Sequence, residues 1–290
     1  MAAIEILLSY YIKFVALFST QKAADITFRL FQKTQPRKML SDEITFYENT
    51  DHYTLDNDIE PIEIYTKGDQ SGELVFMLHG WNSNLARLNR FADILAAQGY
   101  YCVLFDMPGH GKSILKSTNL KRNSQVFEAV LKEMNPTTAF SVLTHSFGSM
   151  IASYTLARHE HQINHLFFMT TLNQFEPFFQ ILQSKLRLSE TVMNRIIEMG
   201  EVLLEEPVHH VIVKEKVKKI NYRQLSVFHD KHDKILKHDY AELLVSDVPN
   251  AQLFSYENIG HSKMLQNQEL LADFEQLIKE KRREVQPHDA

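Results

Sequence analysis

Val142-Leu143-Thr144-His145-Ser146-Phe147-Gly148-Ser149 is the stretch on which the reading of this chain turns. A short strand-like run leads into a serine, and small residues then open a helical pattern. A serine on so sharp a strand-to-helix turn has its hydroxyl held clear of the backbone, which is what a nucleophile requires. The residues two positions either side must be small if strand and helix are to approach closely. Gly148 meets that requirement and Thr144 departs from it. Ser-x-Gly is a common tripeptide, so the stretch gains its weight from its surroundings.

Moving outward toward the N-terminus, Leu74-Val75-Phe76-Met77-Leu78 is a solid apolar run suited to a strand buried on both faces, and it ends in His79-Gly80-Trp81. Val103-Leu104-Phe105 follows as a strand that ends in Asp106-Met107-Pro108-Gly109-His110-Gly111-Lys112-Ser113. Toward the C-terminus, Leu166 to Met169 and Leu225 to Phe228 read as strands, the second followed by Asp230 and Asp233. The strand around Leu253 is followed by Gly260-His261. Helical patterns lie between these runs, through Leu85 to Leu95, Val126 to Leu131 and Met150 to Leu156. Strands separated by helices at this rhythm predict a mostly parallel sheet covered on both faces.

Two earlier runs, Ile44-Thr45-Phe46-Tyr47 and Ile62-Glu63-Ile64-Tyr65, alternate as half-exposed strands do. Between Asn173 and Asn221 the rhythm breaks into a helical stretch rich in phenylalanine and leucine. The domain plan that results has an N-terminal helical extension (residues 1–40), a core (41–172 and 223–290) and an inserted helical cap (173–222). A last helix around Leu270 to Ile278 runs into a charged tail.

With these motifs in this order, the chain resembles the α/β-hydrolase superfamily over residues 60–280. The resemblance implies an α/β fold with a mostly parallel central sheet flanked by helices, and the order Ser, Asp, His of that family's triad. It implies Ser146 as nucleophile and His261 as general base, with the backbone amides of Trp81 and Phe147 as the oxyanion hole. Phe228 to Ile235 resembles the family's acid loop. That alignment puts Asp233 in the acid position and Asp230 where glycine is usual, so Asp233 is preferred and Asp230 is the alternative. Asp106 is read as an organiser of its loop.

The chemistry agrees with these assignments. A serine hydroxyl is a poor nucleophile until an imidazole takes its proton, and the imidazole needs a carboxylate to fix its tautomer. Donors aimed at the developing oxyanion are commonly the largest catalytic contribution. Serine at the turn argues against the dehalogenases and epoxide hydrolases of the same fold, whose nucleophile is aspartate. The expected activity is cleavage of a carboxylic ester with an apolar or lipid-like acyl group, in the manner of a carboxylesterase or monoacylglycerol lipase. His145, Phe175 and Phe178 are expected to line the substrate pocket, and the mechanism needs no cofactor. Thioester, amide and C–C cleavage run on the same constellation. A non-catalytic binding protein that has kept the fold is the reading that the Thr144 and Asp230 departures motivate.

The 290 residues carry a net charge of −5, which gives no sign of a nucleic-acid binder. The single cysteine, Cys102, excludes an intramolecular disulfide and sits in an apolar run as a buried thiol would. His159-Glu160-His161 with His165 reads as a solvated helix end rather than a metal site.

Residues 1–38 are the unusual region. Ile4, Leu7, Leu8, Tyr11, Ile12, Val15 and Phe18 recur at helical spacing, and a basic patch follows at Lys33, Arg37 and Lys38. One reading is an interfacial helix in peripheral contact with a membrane. The other, which is preferred, is a helix packed on its own domain or on a second copy of the chain. The start Met1-Ala2-Ala3-Ile4-Glu5 lacks the basic residues of a secretory signal. The expected place of work is the cytoplasm, at the inner membrane surface if the interfacial reading holds.

Overall fold

The structure, a computed structural model, describes residues 2–35 and 37–285; the end of the charged tail, 286–290, lies outside the described residues. Two helices open the chain, α1 (Ala2–Phe18) and α2 (Thr20–Phe31), and a third, α3 (Ser41–Asn49), leads into the sheet. The strands β1 (Asp51–Leu55), β2 (Ile62–Gly68) and β3 (Leu74–Leu78) come next, followed by α4 (Asn89–Ala97) and β4 (Tyr101–Phe105). Then α5 (Leu120–Met134), β5 (Phe140–His145), α6 (Phe147–Leu156) and β6 (Gln162–Met169) keep the alternation. The cap helices α7 (Glu176–Leu186), α8 (Glu190–Leu204) and α9 (Val213–Val217) interrupt it. The chain returns through β7 (Asn221–Asp230), α10 (Asp239–Val245), β8 (Ala251–Tyr256) and α11 (Gln268–Val285).

The eight strands form one sheet in the order β1-β2-β4-β3-β5-β6-β7-β8. β2 runs antiparallel to both of its neighbours, β1 at the edge and β4, and every other neighbouring pair is parallel. The alternation of side chains along each strand builds two cores. Phe76, Leu78, Val103 and Phe105 point into the one shared with α5 and α6, while Val75, Met77, Cys102 and Leu104 point into the one shared with α4 and α11. The motif-bearing loops leave β3, β4, β5, β7 and β8 at their C-terminal ends, where ligands bind in open sheets of this kind.

The run Ile44 to Tyr47 is not a strand but the body of α3. Glu43, Phe46, Tyr47 and Thr50 are buried, a spacing of three and four that only a helix gives. Two adjacent buried aromatics cannot sit on one face of a strand. Glu43 also secures the first turn, its carboxylate accepting from the Leu40 amide at 3.1 Å.

Helices α1 and α2 fold back on each other as a hairpin and pack against the cap, α2 on α8 and α1 on α7. A third small core joins them: Ile12, Ala23 and Ala24 meet Leu186, Leu188, Val192, Met193 and Ile196. The segment after α2 is pinned to the loops of the sheet domain. Thr118 donates its amide to the Gln32 carbonyl (2.9 Å), the Thr34 hydroxyl donates to the Gly109 carbonyl (2.6 Å), and the Gln35 amide donates to Asn82 Oδ1 (2.7 Å). No helix of the described residues is long and apolar enough to cross a membrane.

Candidate active site

Ser146 stands between β5 and α6 with φ 52° and ψ −118°, a backbone conformation that costs a non-glycine residue of order 1–3 kcal/mol. The turn is held in place from three sides. The Ser146 amide donates to the Met169 carbonyl at 2.9 Å, the Ser149 hydroxyl donates to the Ser146 carbonyl at 2.7 Å, and the Thr171 hydroxyl donates to Ser149 Oγ at 3.0 Å. A Cβ added at Gly148 would stand 2.4 Å from the Leu78 carbonyl oxygen, so α6 reaches β3 only because that residue is glycine. Thr144, where a second small residue is usual, is fully buried with no partner for its hydroxyl. Nothing in the structure explains that choice.

The structure brings Ser146, His261 and Asp233 together from three separate loops. Asp233 Oδ2 lies 2.7 Å from His261 Nδ1, and His261 Nε2 lies 3.1 Å from Ser146 Oγ. The other oxygen of Asp233 accepts from the amides of Ile235 (2.7 Å) and Leu236 (3.0 Å). Burial works against the ionised carboxyl, but the hydrogen bond and charge of His261 outweigh it and, with the two amides, hold Asp233 below its ordinary range. An ionised Asp233 accepts from Nδ1–H, which leaves the lone pair of a neutral ring on Nε2 facing the serine hydroxyl. A hydroxyl so placed can be deprotonated as it attacks.

The alternative acid, Asp230, has a different task. It is buried, and its two oxygens accept from the amides of His232 (2.9 Å) and Gly260. It therefore ties the end of β7 to the loop that carries His261, and it makes no contact with the ring. Gly260, at φ 82°, gives the chain the reversal that this tie requires.

Trp81 and Phe147, whose amides are the expected oxyanion donors, line the same cavity as Ser146. Phe147 is the first residue of α6, so its amide is one that a helix leaves without an internal acceptor. The Trp81 amide donates to no backbone carbonyl among the described residues. Trp81 packs edge-on against Phe147, with ring centroids 5.5 Å apart. Gly80 precedes it for lack of room: a Cβ there would lie 2.9 Å from His145 Nδ1 and 3.1 Å from Ser146 Cβ. His79 Nδ1–H donates to the Gly80 carbonyl (2.8 Å), and Nε2 accepts from the Met107 amide (3.0 Å), which joins this loop to the one after β4. That second loop is organised by Asp106, which accepts from the Tyr47 hydroxyl and from the amides of Leu85 and Lys112 (both 2.9 Å).

A cavity of about 590 Å³ opens onto Ser146 and His261. His145, Phe175 and Phe178, the residues expected to meet substrate, all line it, together with Phe179 and Leu182 of α7. The opposite wall comes from the N-terminal hairpin and the segment after it, through Phe28, Phe31, Lys33 and Arg37. His145 is buried beside His261, and burial first, then the charge of that neighbour, pushes its pKa well below the ordinary value.

The family model described as "Serine aminopeptidase, S33" matches residues 69–221, more than half of the chain. The chain belongs to this family of α/β-hydrolase-fold serine hydrolases. Serine hydrolase-like protein 2 of Homo sapiens is 25% identical to it over 158 residues, 53% of this chain and 48% of the relative. This serine hydrolase thus matches about half the length of that relative. Among solved structures, the Pyrococcus furiosus esterase Pf2001 superposes with a TM-score of 0.63 at 15% identity, covering 86% of this chain and 98% of the other. The ferulic-acid-bound Est1E of Butyrivibrio proteoclasticus gives 0.62 at 16% identity, covering 80% and 98%. At such identities the likeness is one of fold.

Two residues of this serine hydrolase escaped the sequence reading. Glu43, on α3, and Arg87, beyond β3, form a buried ion pair at 3.2 Å, and Asn84 donates to the same carboxylate at 3.1 Å. Arg87 also donates to the carbonyl of Ser262 at 3.1 Å, next to His261. The pair thus braces the His261 loop at Ser262, as Asp230 does at Gly260. Removing one partner of a buried pair typically costs 3–5 kcal/mol. No local pattern announces a contact between residues 43, 87 and 262, although the acidic first turn of α3 was a visible helix signal.

Buried histidines around the site make stability depend on pH. Burial lowers His79 to about 4 and His110 to about 3, against an ordinary value of 6.5. His145, His165 and His229 are lowered by burial too. Below pH 6.5 the unfolded chain binds protons that the folded chain refuses, so stability falls as pH falls through this range. His79 alone accounts for roughly 3 kcal/mol once the loss is complete near its folded value. Asp106, whose carboxyl burial raises, acts in the opposite sense but is outnumbered. The urea midpoint is expected to drop steadily from pH 7 toward pH 4.5; a level or rising midpoint would contradict neutral buried imidazoles.

Proposed function

We propose that this serine hydrolase cleaves carboxylic esters of apolar acyl groups through an acyl-enzyme on Ser146. Ser146 Oγ attacks the ester carbonyl carbon as its proton passes to Nε2 of His261, and Asp233 stabilises the imidazolium that forms. The amides of Trp81 and Phe147 receive the oxyanion. Collapse of the tetrahedral intermediate expels the alcohol, which takes the proton from Nε2. Water then attacks the acyl-enzyme with His261 again as base. The acid leaves, and the proton returns to Ser146.

The observation that carries this reading is the cavity. Its phenylalanine and leucine walls reach the nucleophile, and its volume of about 590 Å³ suits a small organic ligand. An aminopeptidase would have to hold the substrate's terminal ammonium, a task for carboxylates. Among the described residues no Asp or Glu lines the cavity, whereas Lys33, Arg37, Arg87 and Lys185 do. The lining therefore favours an acyl substrate over a free peptide N-terminus. The lone buried cysteine needs no oxidising compartment, which supports work in the cytoplasm.

The test is a chain-length series of p-nitrophenyl esters beside matched acyl thioesters and aminoacyl anilides. Turnover is expected to rise from acetate to medium chains and to exceed that of the anilides. A preference for anilides, or thioester turnover without ester turnover, would replace the ester assignment.

A further inference from the structure

Helix α1 is buried along one side only. Ile12 is 1% exposed and faces the cap, while Leu17 and Phe18 are 81% and 78% exposed. Leu7, Tyr10, Phe14, Leu17 and Phe18, all exposed, fall on one continuous arc of the helix, as wide as the roughly 100° stripe an amphipathic helix uses to cover a core. Nowhere else among the described residues are large exposed apolar side chains so concentrated. A patch of this kind on a single chain marks a surface that meets an apolar partner.

Charge narrows what that partner is. Residues 1–38 carry Lys13, Lys22, Arg29, Lys33, Arg37 and Lys38 against Glu5 and Asp25, in a chain whose net charge is −5. All six cations are exposed, three on the hairpin and three in the segment that follows it, so the N-terminal region is basic in an otherwise acidic molecule. An exposed aromatic and aliphatic face with basic residues around it fits an anionic lipid surface, where the apolar side chains enter the headgroup boundary and the cations meet phosphates. A second copy of this chain would set like charges against each other. The same hairpin also supplies a wall of the cavity through Phe28 and Phe31, which makes the lipid-facing element continuous with the acyl site.

We propose that the exposed face of α1 seats this hydrolase on an anionic bilayer surface, parallel to the membrane plane, so that acyl substrate reaches Ser146 from the lipid side. The seating stands on the hairpin alone; the delivery of substrate rests on the ester-hydrolase reading.

The test is co-sedimentation of the full chain with vesicles of phosphatidylcholine, alone or with phosphatidylglycerol admixed, beside turnover of a soluble short-chain ester and a thermal melt. Wild type is expected to pellet with the anionic vesicles and poorly with the neutral ones. Leu17→Glu/Phe18→Glu should weaken vesicle binding by roughly 100-fold, about tenfold for each side chain withdrawn from lipid, with melting and soluble-ester turnover unchanged. Lys13→Glu/Lys22→Glu should abolish the preference for anionic vesicles. Folded wild-type protein that stays in the supernatant would overturn the proposal, as would equal binding to neutral vesicles. A concentration-dependent dimer, broken by the same apolar substitutions and indifferent to vesicles, would assign the face to a second copy instead. Vesicle binding by a protein inert toward every ester would leave the seating intact and remove only the ester reading.

Discussion

Ser146→Ala is expected to lower kcat toward esters by about a million-fold, to what binding and the oxyanion donors alone can sustain. The loss should be catalytic and not structural. Ser146 Oγ makes one side-chain contact, to His261, whereas the backbone turn is held by Met169, Ser149 and Thr171. Alanine faces the same φ of 52° as serine, so the strain of the turn is unchanged. Intact-mass labelling with a fluorophosphonate should add one group to wild type and none to the variant. Labelling of the variant, or its continued ester turnover, would move the nucleophile elsewhere. An unlabelled, correctly folded wild type would mean an inert pocket and a binding protein in place of an enzyme.

Asp233→Asn and Asp230→Asn are expected to differ by about three orders of magnitude. An amide at 233 presents Nδ2–H or a weak acceptor to His261, favours the wrong tautomer and leaves the developing imidazolium without a counter-charge; in the comparable triad substitution kcat drops about 10⁴-fold. An amide at 230 keeps one oxygen acceptor for the backbone amides of His232 and Gly260, so the His261 loop is loosened and not lost, and kcat should fall by about tenfold at most. The melting temperature separates the two roles further. Asp230→Asn should melt lower, because both its bonds brace a buried turn, while Asp233→Asn should be inactive at nearly full stability. Reversed effects would make Asp230 the catalytic acid.

What could be read from the chain before its structure follows from where each signal is written. Strands β3 and β4 are covered on both faces and appear as uninterrupted apolar runs, β5 to β8 carry shorter apolar runs, and the loops that follow these strands carry residues with few alternative explanations. His79-Gly80, Asp106-Met107-Pro108-Gly109 and Gly260-His261 could therefore be placed in order. The run Ile44 to Tyr47 misled because four residues fit both an alternating strand and a helix. Only Glu43 and Thr50, polar yet buried, complete the helical period, and polar residues are not counted in a hydrophobic pattern. The bond from Arg87 to the Ser262 carbonyl was out of reach for a different reason: it spans 175 positions and uses a backbone atom, which leaves no trace in composition. The N-terminal hairpin was legible as amphipathic but not as a cavity wall. Periodicity reveals that a helix has an apolar face, and is silent on what that face adjoins.

That hairpin has a consequence for how substrate preference can change. Ser146, His261 and Asp233 are set by loops at the ends of β5, β8 and β7, whereas a wall of the cavity belongs to Phe28, Phe31, Lys33 and Arg37, ahead of the first strand. On the ester-hydrolase reading, part of the selectivity is thus written apart from the chemistry. Grafting a different leading segment onto the same sheet could retune which acyl chain is accepted while every reacting atom stays where it is.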